Sequence, residues 1–167
     1  MTKTQRTIAA LSLAGAVLAA GGMPPARATA AREGANTPGA QFAARMGVAY
    51  GVFHHWVLTP YQKGYFATGQ PDRGARLGKA ATALLSTEAD IAAALTIAQG
   101  DRALQPIVPL VGGMANGYQA LAATFKSGIV NAIGVRGTIG LTLYTEGVQR
   151  KLGVPVRETN PVPGSLF

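Results

Sequence analysis

Residues 76–99 read RLGKAATALLSTEADIAAALTIAQ, and this stretch decides the fold. Leu77, Ala81, Leu84, Ile91, Leu95 and Ala98 recur every three or four residues, which places them on one face of a helix turning 100° per residue. Lys79, Ser86, Asp90 and Gln99 fall on the opposite face. Asp72 precedes the run as the expected N-cap, and Gly100 follows it as the expected stop. Such a helix is unstable alone and needs other apolar faces against it. One residue is discordant. Glu88 lies within about 20° of the centre of the apolar face on the helical wheel, where an unpaired carboxylate is costly and has to be paired or reach water.

Working outward, Thr37-Pro38 has the form of a helix start. Phe42, Met46, Ala49, Phe53 and Trp56 then step by four and three as an aromatic-rich inward face. Thr59-Pro60 is expected to end that helix. An aromatic connector (Tyr61 to Phe66) and a loop (Ala67 to Gly74) follow. Beyond the central helix, Asp101 to Lys126 forms a third segment. Its start should be kinked or 3₁₀ at Pro106 and Pro109, its inward face should run from Leu104 to Phe125, and it should stop at Ser127-Gly128. Residues 129–153 are ambiguous. Val130, Ile133, Gly137, Leu141, Tyr144, Val148 and Leu152 make a helical stripe, while Val135, Ile139, Leu141 and Leu143 also alternate at strand spacing. Helix is favoured, because a lone strand would have no partner here. The expectation is an all-α, up-and-down bundle of three to four amphipathic helices over residues 37–153, followed by an extended, proline-containing tail over 154–167.

The first 28 residues have the form of a secretory signal peptide. Lys3 and Arg6 precede a 13-residue apolar run, Ile8 to Ala20, too short for a span of ~20 residues. Cleavage is expected after Ala28, with Ala30 as the alternative, leaving a flexible start over 29–36 and no transmembrane anchor. Without a twin-arginine pair the route is Sec-type. The localisation implied is secreted or extracytoplasmic.

The 167-residue chain has no cysteine, so disulfides, thiolate metal sites and a cysteine nucleophile are excluded. Its net charge is +8, from 15 basic and 7 acidic residues. Loss of Lys3, Arg6 and Arg27 with the leader reduces this to +5. That mild excess suits anionic envelope polymers or lipid headgroups. Only Arg150-Lys151 are adjacent cations, and no nucleic-acid motif is present.

His54-His55 does not make a metal site. Adjacent helical positions diverge by about 100°, and there is no third histidine or cysteine to complete a set. His54 lies on the flank of its helix. It is the natural partner for Glu88, so His54 and Glu88 are the candidate buried polar pair. No cofactor is expected, although His54 alone would be the ligand if haem were bound.

The leader, the aromatic run from His55-Trp56-Val57 to Tyr65-Phe66, Gly74 with Lys79-Ala80, Leu104 with Pro109-Leu110, Lys126-Ser127-Gly128 and Gly153 with Arg157-Glu158 together resemble a group of small secreted actinobacterial proteins. The resemblance implies export and a helical fold. It carries no activity and no site residues, and the glycine-rich fourth segment departs from the pattern.

Three functions are compatible with these features. The favoured one is a secreted, non-enzymatic helical protein acting at or outside the cell envelope, with an anionic envelope polymer or another protein as partner. The second is an extracytoplasmic carrier of an apolar ligand or haem, using Tyr50, His54, Trp56 and Met114 within the bundle. The third is a hydrolase built on Glu88 and His54, disfavoured because no recurrent triad or carboxylate pair is present.

Overall fold

The structure is a computed structural model and describes residues 37–159. The expected leader, its expected cleavage site, the expected flexible start and residues 160–167 lie outside the described residues. The protein is an all-α bundle of four long helical rods, with no strand among the described residues.

The first rod is α1, Pro38–Phe53, continued by a π-helical turn, His54–Leu58, and a short α2, Thr59–Gln62. Thr37 caps α1 by accepting from the Ala40 amide at 3.2 Å, and Pro38 takes the first turn as expected. Contrary to expectation, Pro60 does not end the rod. The Thr59 amide donates five residues back to the His54 carbonyl, and this wide turn lets the chain pass the proline still helical. The extra residue per turn also moves the inward face: Val57 is fully buried where Trp56 was expected, and Trp56 is half-buried.

The second rod comprises α3, Arg73–Ser86, and α4, Glu88–Gly100. At the joint the Ser86 and Thr87 hydroxyls donate to the Ala83 and Leu84 carbonyls, both at 2.7 Å, a back-bonding that bends helices. Asp72 sits before α3 in the left-handed region (φ 55°) and makes no side-chain capping bond. Arg73 secures this corner instead, donating to the Phe66 carbonyl at 2.9 Å and the Gly128 carbonyl at 3.0 Å. This rod is the hub, with α4 packing on α1 and α5 while α3 packs on α5.

A 3₁₀ turn, Gln105–Ile107, leads into α5, Val108–Lys126, as the two prolines require. The Gln105 amide donates to the Ala98 and Gln99 carbonyls, satisfying the end of α4. Gly128 (φ 73°) closes α5, and the Ile129 amide reaches back to the Thr124 carbonyl at 3.0 Å, the six-residue Schellman bond.

The ambiguous fourth segment is helical: α6, Ala132–Lys151, capped by Asn131, whose side-chain oxygen accepts from the Ile133 and Gly134 amides. The core is made by Phe42, Met46, Tyr50, Phe53, Leu77, Leu84, Ile91, Leu104, Met114, Tyr118 and Phe125. The Phe53 and Tyr118 rings stack at 5.0 Å with planes 11° apart.

Candidate functional site

α6 is turned by about 110° from the expected stripe: Leu141, Val148 and Leu152 still pack half-buried against the core, while Ile133 and Tyr144 face outward. Its buried residues are Val135, Thr138, Thr142, Thr145 and Gln149. The threonine hydroxyls donate to carbonyls four residues back, those of Gly134, Thr138 and Leu141, at 2.7–2.9 Å. With its hydroxyl spent locally, each threonine presents a methyl group and packs much as valine does. Two notches on α5 receive this face. A β-carbon at Gly117 would sit 3.5 Å from the Thr138 methyl, and one at Gly113 would sit 3.3 Å from Leu141. The two glycines, one turn apart, thus give α5 close approach to Thr138 of the buried face and to Leu141 at its edge.

This seam also encloses polar atoms that are not fully satisfied. The hydroxyls of Tyr50 and Tyr118 and both amide atoms of Gln149 are buried without aligned hydrogen-bond partners. The Tyr50 hydroxyl faces Gln149, and that of Tyr118 faces Thr142, each close enough to favour ionisation slightly. Burial dominates in both and pushes the two phenols well above the ordinary tyrosine range, with the Glu146 charge adding to the effect on Tyr50. Both therefore remain neutral hydrogen-bonding groups at ordinary pH.

His54 and Glu88 are not brought together. His54 Nδ1 lies 2.6 Å from Glu158 Oε1, so its partner comes from the C-terminal tail. Its Nε2 is buried without a hydrogen-bond partner. Glu88 is exposed and accepts from Gln119 Nε2 at 2.8 Å. Five of the six residues of the expected face of the second rod, Leu77, Ala81, Leu84, Ile91 and Ala98, are buried, and Ala80, Thr87 and Ala94 extend the buried stripe on the side away from Glu88. Leu95 is only half-buried. Glu88 sits on the rim of a cavity of about 140 Å³ lined by Leu84, Ile91, Leu95 and Tyr118 among others.

The tail over 154–159 is extended, as expected, and lies along α1. The carbonyls of Arg157 and Thr159 lie where β-carbons on Gly47 and Gly51 would be, and the Thr159 amide donates to the Gly47 carbonyl at 3.1 Å. A Gly-x-x-x-Gly pair on α1, like the one on α5, was the sequence signal for this contact.

The rotation of α6 has a second consequence at the surface. Ile133 is 83% exposed, Tyr144 63%, Ile129 59% and Leu143 45%. Four of the five large apolar side chains exposed among the described residues thus sit on one helix and its lead-in. Among the described residues, no three His, Asp or Glu gather as a metal site. No family model, curated protein or solved structure matches the chain.

Proposed function

We propose that this is a secreted, non-enzymatic helical protein that works by binding at the outer cell envelope. The observation that carries this reading is the outward-facing apolar surface of α6, since exposed apolar clusters mark interaction sites. The leader-like N-terminus and the basic balance of the chain support it. His54 and Glu88 serve structure in this reading: one holds the tail and the other bonds Gln119 across helices.

The test is co-sedimentation of the purified protein with envelope material from its own host across a salt series. Retention is the expected result, partly weakened by salt as the cationic contribution is screened. Absence of binding at every salt concentration would overturn the reading.

A carrier role is the competing reading, favoured by the cavity beside Tyr118. At about 140 Å³ it is well below the ~300 Å³ at which typical ligand pockets begin, so its occupant would be a small apolar molecule and not haem. An apolar compound released on denaturing the purified protein would support this role.

A further inference from the structure

We infer that the outer face of α6 docks flat on an anionic lipid bilayer, an inference that rests on the envelope reading and names its partner.

The face is continuous. On the helical wheel Ile133, Gly137, Gly140, Tyr144 and Lys151 fall within about 40° of one line, with Arg136, Leu143 and Arg150 along one flank. β-carbons built at Gly137, Gly140 and Gly147 would meet no atom of this chain within 4 Å, so nothing described here covers the face. The glycines leave a shallow middle between Ile133 and Tyr144, which project at either end.

Charge selects the occupant. Lys126 and Arg136 stand near the N-terminal end of the face, and Arg150 and Lys151 near the other; all four are exposed. Arg136 also contacts the Tyr61 hydroxyl at 3.4 Å, and Arg150 pairs with Glu146 at 3.2 Å. Glu146 is the only acid on α6, and it falls on the far side of the wheel from Ile133. The surface is therefore apolar in the middle and cationic at both ends, with its one neighbouring carboxylate, Glu146, turned to the far side and tied to Arg150. Aromatic and aliphatic side chains beside Lys and Arg are the features of a helix lying in a membrane interface. A polyanion would satisfy the cations but offer no apolar phase to Ile133 and Tyr144. A second copy would satisfy the apolar side chains but bring like charges together.

The test is flotation of the purified protein with vesicles of phosphatidylcholine alone and of an equal phosphatidylcholine–phosphatidylglycerol mixture, with Ile133→Ser/Tyr144→Ser as the variant. These side chains are mostly exposed, so the fold is retained, which circular dichroism checks. The expected result is binding to the anionic vesicles only, reduced at least ~10-fold in the variant. Equal binding of the variant would overturn the inference. So would a wild-type dimer that becomes monomeric in the variant without any vesicle binding, which would assign the face to self-association. If the protein ignores vesicles yet sediments with envelope material, the lipid inference fails and the envelope function stands. If it binds neither, both fail.

Discussion

The carbonyl oxygen of Arg157 occupies the position that a β-carbon on Gly47 would need. One turn on, the Thr159 carbonyl stands in the same relation to Gly51. The match is metric. Four helical residues rise about 6 Å and two extended residues advance about 6.6 Å, so alternate carbonyls of the tail keep step with successive turns of α1. Glu158, between them, reaches His54.

Substituting Gly47→Ala/Gly51→Ala should therefore release the tail without unfolding the bundle. The tail would lose one backbone hydrogen bond and the partly exposed His54–Glu158 hydrogen bond, together roughly 1–2 kcal/mol. Trypsin cleavage after Arg157 should accelerate about 10-fold. Global stability should change little, since alanine gains up to about 1 kcal/mol over glycine within a helix. Unchanged cleavage would show that the tail is not held at these glycines.

Gln149→Met should stabilise the protein by roughly 1–2 kcal/mol. The glutamine amide is fully buried with neither polar atom aligned to a partner, and methionine replaces it at similar length without that desolvation cost. Tyr50→Phe removes the hydroxyl that faces Gln149, so the two changes should be non-additive. A double-mutant cycle by denaturant unfolding checks both statements.

The two buried phenols predict an alkaline limit to stability. In the folded state both are pushed up, chiefly by burial. Above pH ~10 the unfolded chain loses protons that the folded chain retains, so stability is complete below that pH and falls as pH rises, by about 1.4 kcal/mol per unit for each tyrosine. Tyrosinate absorbance from Tyr50 and Tyr118 should appear together with loss of helical circular dichroism. Tyr50→Phe should make the decline shallower.

Glu88→Gln should leave stability within about 0.5 kcal/mol of wild type, because an exposed side chain keeps its Gln119 contact through an amide. A loss of several kcal/mol by thermal unfolding would restore Glu88 to the buried face.

Much of the fold is legible in the residues. The cap at Thr37-Pro38, the 3₁₀ turn before α5, the stop at Gly128 and the extended tail depend on local chemistry that neighbouring residues supply. The periodicity of residues 76–99 likewise specifies a helix with an apolar side, and with it a bundle. Which side chains each helix buries is a different matter, because packing depends on how closely another rod can approach. The second rod buries Thr87 and Ala94 beside the expected Leu77, Leu84 and Ile91, and leaves Glu88 exposed. On α6 the threonines are buried, Thr138 against Gly117 of α5, and Ile133 and Tyr144 stay outside, against the hydrophobic pattern. The wide turn before Pro60 shifts burial from Trp56 to Val57. His54 finds Glu158 across 104 positions because the tail's carbonyls fit the glycines of α1. The sequence by itself determined which segments are helical and most of their ends, the passage through Pro60 and the joint at Thr87 excepted, since these follow from hydrogen bonds and torsions within a few residues. Only the tertiary structure decided the buried faces, the polar partners and the exposed surface, since these follow from the distance between backbones that the small residues of two different helices jointly allow.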